Sequence, residues 1–419
     1  MKLLVFIVSI LFAAPLMAAE TNYPDLPPPA LVDTALRSNI NVMTAETSVK
    51  LAQSEQRKWE AGNHEFSLRA GSSRRNISNT GQHLKEWDVA LERPVRLFGK
   101  SSLDDDIGAA GVVRAEYALG DARHEAGRTL LHLWFNWQRE RAQAEQWRQQ
   151  VQILQQQAQI TEKRLRAGDV PKMELNQVQA AVAQAEVSLQ QAGTRSKLAA
   201  AELRRQFPAL VLPLHTGISE PQPIVQNLDY WKKRFLADNH QLGMVHAENR
   251  IQQLLAQRSR ADRMPDPTLG IRYASEMGGN EKVTGVYFSV PFSFGLRSAT
   301  AASAGYQAEI SAERETSVRQ QLENDIYSAY IQATGSYAAW RQARDAAAST
   351  RRNADLATRA YSLGENDLLQ VLNARRLALD SMLAETVAQF DANEARYRLL
   401  LDSHQLWTQE QHEDMHDQR

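Results

Sequence analysis

Along two long stretches of the chain, apolar positions recur at alternating intervals of three and four. Along four short ones they recur at intervals of two. The first period belongs to helices that pack side by side, the second to strands with one apolar face. Ser101 to Ala167 reads as one helix of about 67 residues, about 100 Å long at 1.5 Å per residue. Its seam runs through Leu119, Ala126, Leu130, Leu133, Trp137, Ala144, Val151, Leu154 and Leu165. After a turn at Gly168 to Pro171, a return helix carries Leu175, Val178, Val182, Ala185, Leu189, Ala192, Ser196, Ala199 and Leu203. Small residues in this seam let neighbouring helices approach closely. Ahead of the long helix lie a helical stretch, Ala30 to Gly62, and two alternating segments. Glu65 to Ala70 sets Phe66, Leu68 and Ala70 on one side; Glu86 to Glu92 sets Trp87, Val89 and Leu91 against Glu86, Asp88 and Glu92. The polar stretch Gly71 to Lys85 between them predicts a hairpin with a long loop.

The pattern then repeats. Pro208, Pro213, Pro221 and Pro223 mark a break. Beyond it come a helix (Trp231 to Asp262), a strand (Thr268 to Tyr273), a second strand with Val286, Phe288, Val290 and Phe292 on its apolar face, a long helix (Ser298 to Leu363) and a return helix from Leu368 to about Gln409. Phe98-Gly99 matches Phe294-Gly295 at an offset of 196, and Gly168 matches Gly364 at the same offset; Ala45-Glu46 matches Ala247-Glu248 at 202. The chain therefore reads as a duplication. The expected divisions are a signal peptide at 1–19, a Pro-rich leader at 20–29, a first repeat at 30–207, a linker at 208–228, a second repeat at 229–410 and a polar tail at 411–419.

The start of the chain changes the picture. Met1-Lys2, an apolar run from Leu3 to Met17 and Ala18-Ala19 read as a secretory signal, too short for a bilayer span. No other stretch is a candidate transmembrane helix, so any membrane segment must be made of strands. Four strands cannot close a barrel, because small barrels need at least eight. Three copies supply twelve strands, and their helices supply a cylindrical wall. The chain has no cysteine, which excludes disulfides, thiolate metal ligands and a lipid-modified N-terminal cysteine. A net charge of −1 disfavours a nucleic-acid partner.

The order helix, strand, strand, long helix, turn, long helix, given twice, resembles the TolC-type outer-membrane efflux protein family over nearly the whole mature chain. The resemblance is carried also by Arg93-Pro-Val-Arg-Leu-Phe-Gly99, by Val290-Pro-Phe-Ser-Phe-Gly295, and by Tyr361-x-x-Gly364 followed by Leu369-Gln-Val-Leu-Asn-Ala374. The short length and Asp266-Pro-Thr-Leu-Gly270 are most similar to the CzcC-like heavy-metal branch. The resemblance implies an α+β, mostly α fold, with duplicated helical hairpins forming a trimeric periplasmic coiled-coil tunnel below a 12-stranded outer-membrane β-barrel. It implies a homotrimer in outer-membrane lipid, docked onto a periplasmic adaptor and an inner-membrane RND pump, with no catalytic site and no cofactor. Heavy-metal cations are the expected cargo, with drug efflux or type I secretion as alternatives. A soluble periplasmic coiled-coil scaffold is the reading from another class, and the apolar strand faces argue against it.

The candidate sites follow. Gly168, Asp169, Pro171, Tyr361, Gly364, Glu365, Asp367, Gln370 and Asn373 belong to the two hairpin tips, expected to form the periplasmic gate and adaptor-docking ends. Family members often carry acidic residues at the narrow end, whereas Gln370 and Asn373 are neutral; Glu365 and Asp367 nearby are the alternative acids. Trp87, Phe98, Phe292 and Phe294 are the expected aromatic anchors at the barrel's membrane interface. His412 and His416 stand at i, i+4 and can chelate a divalent ion if helical; a solvated tail is the plainer reading. His124 and His132 are expected to pack or to face solvent. Asp104-Asp-Asp106 falls near a helix start, where carboxylates suit the helix dipole. Glu86, Asp88 and Glu92 are expected to face the barrel lumen. No phosphate loop, HExxH, GxSxG or paired catalytic motif is present.

Overall fold

The computed structural model describes residues 23–213, 217–293 and 295–407. The expected signal peptide, Phe294, His412 and His416 lie outside the described residues. The elements are α1 (Pro29–Arg37), α2 (Ile40–Ala61), β1 (Ser67–Ile77), β2 (Gln82–Pro94), α3 (Lys100–Ala167), α4 (Lys172–Gln206), α5 (Leu228–Ala237), α6 (His240–Ala261), β3 (Thr268–Glu276), β4 (Glu281–Ser289), α7 (Leu296–Ser362) and α8 (Leu368–Asp402). No described helix is long and apolar enough to cross a membrane.

Each half opens with two helices where the sequence predicts one. The chain breaks at Ser38-Asn39 and again at Asp238-Asn239. In both, an asparagine caps the next helix: the Asn39 side chain accepts from Asn41 N, and that of Asn239 from Leu242 N. An Asn cap offers the exposed backbone donors a partner outside the helix, which favours a fresh start over continuation. α2 and α6 are both 22 residues long and lie 200 residues apart. The caps therefore set the offset of this segment at 200 rather than the 202 suggested by Ala45-Glu46. α4 and α8 are both 35 residues long and 196 apart. The four residues of difference fall in the sheet, where β3 and β4 are shorter than β1 and β2.

The hairpin seams follow the predicted spacing. Val178, Ala185, Ala192 and Ala199 on α4, and Ala333, Trp340, Ala347 and Ala354 on α7, are buried at every seventh position. The largest core lies where the hairpin bases meet. It joins Leu130, Trp134 and Phe135 of α3, Leu203 of α4, Phe235 of α5, Ile326 of α7 and Leu399 of α8. The Pro-rich leader is part of it. Asp25 is buried, accepting from Ser219 N at 2.6 Å and from the Tyr397 hydroxyl at 2.8 Å, while its carbonyl accepts from Trp134 Nε1 at 2.7 Å. The segment after α4 is therefore pinned at Ser219 rather than loose.

The four strands form one antiparallel sheet in the order β1-β2-β3-β4. The long loop expected at 71–85 is instead strand on both sides of a short turn at 78–81, because pairing runs from Ser67↔Glu92 out to Ile77↔Gln82. Its polar side chains find cross-strand partners, as in the Arg75–Glu86 pair at 2.6 Å. β4 ends at Ser289, short of Val290 and Phe292, since Pro291 has no N–H for a ladder.

Candidate functional site at the hairpin tips and the sheet

Both tips are built the same way. Gly168, at φ 83°, lets its N–H reach Leu165 O at 3.0 Å while Asp169 N reaches Arg164 O at 2.9 Å. Gly364, at φ 76°, repeats this: Gly364 N to Tyr361 O at 3.1 Å and Glu365 N to Ala360 O at 2.9 Å. Paired 6→1 and 5→2 bonds around a left-handed residue are a Schellman helix stop, and glycine takes that conformation without a Cβ clash. The next helix then starts at once. Pro171 caps α4, and the Asp367 carboxylate accepts from Gln370 N at 2.8 Å to cap α8. Asp367 is thus a capping residue. Glu365, Gln370 and Asn373 are exposed, as are Gly168, Asp169 and Pro171.

The two tips touch through a residue that the sequence reading placed only in the turn. The Tyr361 hydroxyl, at the end of α7, donates to Glu174 Oε2 on the first turn of α4 at 2.7 Å. The Arg164 guanidinium lies 5.2 Å from the Tyr361 ring centre. Burial, then the bond to Glu174, pushes the phenol up to about 12, so it stays a donor at any physiological pH. Glu174 and Arg164 carry no motif of their own; only the register between the two halves brings them to Tyr361.

At the other end, the sheet has two chemically distinct faces. One carries Leu68, Leu91, Ile271, Val286, Leu269 and Phe288, all exposed in the single chain. Trp87 packs against Tyr273 on this face, ring centres 5.7 Å apart. The opposite face holds Glu86, Asp88 and Glu92, as predicted. They are not a bare carboxylate row. Arg69 bonds Glu92 at 2.8 Å, Arg75 bonds Glu86, and Arg272 lies 3.4 Å from Asp88. Tyr287 lies flat over Gly270, where an added Cβ would meet its ring at 2.3 Å, and donates to Glu92. Phe98 and Phe292 are fully exposed where the chain passes between sheet and helices.

A buried ionic knot holds this passage. Lys100, 1 % exposed at the start of α3, donates to Asp266 at 2.8 Å and to Met264 O at 2.8 Å, and pairs with Asp262 at 2.9 Å. Asp104 is also buried, between Arg258 at 2.6 Å and Arg96 at 3.3 Å. The first acid of the run at 104–106 is therefore a structural counter-ion, while Asp105 and Asp106 are exposed. Burial opposes ionisation of Asp266, but Lys100 and the Leu97 N–H keep its carboxyl below the usual range. This knot ties α3 to the α6–β3 connection, and nothing in the spacing of these residues announces it.

The histidines divide as follows. His132 bonds Glu394 at 2.8 Å. His124 meets His240 and His404, with ring centres 5.1–6.5 Å apart, and lies 3.2 Å from Asp402. Among the described residues no group of three or more His, Cys, Asp or Glu side chains is arranged to hold a metal ion.

Residues 231–401 match the family model described as outer membrane efflux protein. No curated protein sequence matches the chain significantly. Solved structures do. The CmeC outer membrane channel of Campylobacter jejuni superposes with a TM-score of 0.76 at 16% identity, covering 92% of this chain and 86% of CmeC. The outer membrane protein VceC of Vibrio cholerae gives 0.73 at 16% identity, over 89% of this chain and 95% of VceC. The open-state MtrE outer membrane channel of Neisseria gonorrhoeae gives 0.66 at 16% identity, over 91% and 89%. Residues 231–401 are thus similar to the outer membrane efflux protein model, and the chain as a whole has the fold of these outer membrane channels.

Proposed function

We propose that this chain is the outer-membrane duct of a tripartite efflux assembly, a passive conduit and not an enzyme. The observation that carries it is the sheet. Its one face is apolar and exposed, its other face is a satisfied polar ladder, and both edges are open. Such a sheet suits a bilayer once copies close it into a barrel. Three chains give twelve strands, and their hairpins form the periplasmic tunnel with six tips at its mouth. The tips are the docking ends for a periplasmic adaptor, which links the duct to an RND pump. A soluble periplasmic scaffold would leave the apolar face without a purpose.

For cargo, the resemblance to the CzcC-like branch favours heavy-metal cations over drugs or secreted proteins. The tip positions matched to the family's acids and the three carboxylates of β2 do not supply a bare acidic ring. Gln370 and Asn373 are neutral, and the lumen carboxylates are engaged by Arg69, Arg75 and Arg272. Selection then rests with the pump. A deletion strain should become sensitive to one or more salts of Zn, Co, Cd, Ni, Cu or Ag. A rise confined to antibiotic sensitivity would reject the metal cargo while keeping the duct. Recovery of the chain as a freely soluble periplasmic protein would reject the duct.

A further inference from the structure

The two faces of the sheet also sort its charges. All five carboxylates of the strands, Glu86, Asp88, Glu92, Glu276 and Glu281, share the face of Arg69, Arg75 and Arg272. The apolar face has no acid at all. Its rows run in order away from the helices. Leu68, Leu91, Ile271 and Val286 form one row. The girdle of Tyr273 and Trp87 follows. Lys282 lies in the row of Trp87, and Arg74 and Lys85 lie one row further out.

Arg74 and Lys85 are direct cross-strand partners, both are exposed, and among the described residues neither makes an ion pair. Like charges placed opposite each other destabilise a sheet unless an anion lies between them. The acids at this end of the sheet, Glu86, Glu276 and Glu281, cannot serve, because all three lie on the opposite face. Arg75 engages Glu86 and Glu276 there. Among the described residues Lys282 donates a hydrogen bond to Ser275 Oγ at 2.9 Å and makes no ion pair.

We propose that Arg74, Lys85 and Lys282 bind the phosphorylated headgroups of outer-leaflet lipid. This rests on the membrane reading above. All four helix connections leave the sheet from one end, and both hairpin turns lie at the other. With the helices in the periplasm, Lys282 stands level with Trp87 and Arg74 and Lys85 one row beyond it at the cell-surface side, facing lipid. That is the level of anionic headgroups, and guanidinium and ammonium groups are suited to phosphate.

The test reconstitutes the full-length oligomer into phosphatidylcholine vesicles, alone or with diphosphorylated or dephosphorylated lipid A. Co-flotation reports insertion, and the heat-dissociation midpoint reports lipid binding. For the native chain, the diphosphorylated lipid should raise the midpoint by on the order of 3 °C or more, and the dephosphorylated one should not. Arg74→Gln/Lys85→Gln/Lys282→Gln should insert equally well and lose that rise. Lys85→Glu gives Arg74 an internal partner, so it should raise the midpoint in phosphatidylcholine alone and blunt the lipid effect. Equal rises in native and triple-variant protein would overturn the proposal, as would equal rises with both lipids. So would a matching rise from inorganic phosphate in detergent. Failure to co-float would instead overturn the membrane reading.

Discussion

His404 shows how a residue's neighbours set its chemistry. It sits just past α8 at φ 55°, a left-handed conformation that His, Asn and Asp adopt more readily than other residues with a side chain. Burial, then the nearby His124, lowers its imidazole to about 4. Asp238, Asp402 and Arg128 also face it, and Asp121 and Glu125 lie along the same stretch of α3. Asp402 is itself buried; the His124 bond and the charges of Arg128 and Arg398 nonetheless hold it at about 2. A histidine whose folded value is depressed takes up protons more readily when unfolded. Its neutral state is therefore free of penalty above about 6.5, and stability is lost as pH falls from there through about 4. Asp402 adds a loss only below about 3.8. His404→Asn tolerates the same backbone and cannot titrate. We predict that the unfolding midpoint of the native oligomer falls between pH 6.5 and 4, and that His404→Asn flattens that slope. Parallel slopes in the two proteins would place the sensitivity elsewhere.

At the scale of elements, the end of α7 and the start of α4 are joined by one hydroxyl. Tyr361→Phe keeps the ring and the Arg164 contact while removing the donor to Glu174. The hydrogen bond is to a charged group, so its loss costs about 1.5–3 kcal/mol locally. We predict a higher open probability in planar bilayers, with oligomers intact. Unchanged gating would show that the tips are held by other contacts. Gly364→Arg acts differently. An added Cβ there meets nothing within 4 Å, so the penalty is the left-handed backbone, about 1–2 kcal/mol. Trimers should survive it while export falls, and loss of trimer would assign the glycine to folding. The two long hairpins, their seams and both Schellman glycines were legible in the sequence, since heptad spacing and a Gly after an apolar run are local signals, whereas the breaks at Asn39 and Asn239 were not. The 71–85 segment was not. Its alternation pairs Arg75 with Glu86 across strands, and a polar strand with charged partners looks like a loop until the partner is known. The Lys100–Asp266 pair and Tyr361–Glu174 were invisible for the same reason: they span 166 and 187 residues.

For the whole molecule, the decisive question is closure. β1 and β4 are the outer strands of an open four-stranded sheet, each with one unpaired edge. Exposed apolar residues such as Ile40, Met43, Tyr306, Ile310 and Tyr327 run down the helices beneath. An open edge that pairs with a second copy leaves another edge open, so association continues until the ring shuts or a fibre grows. A closed ring is the expected outcome, since twelve strands fall within the range of membrane barrels. The absence of cysteine makes this directly measurable. Single cysteines placed along β1 at Leu68, Ala70 or Ser72 can be combined with one along β4 at Thr284, Val286 or Phe288. All six lie on the apolar face of the sheet, so a pair in register across the subunit boundary can oxidise without crossing the sheet. For the pair in register, the product should run through dimer to a plateau at three chain masses, and that trimer should have no free thiol, because a closed ring has no ends. A ladder continuing past three, or a terminal product retaining thiols, would replace the closed duct with an open assembly and remove the lumen on which the export reading depends.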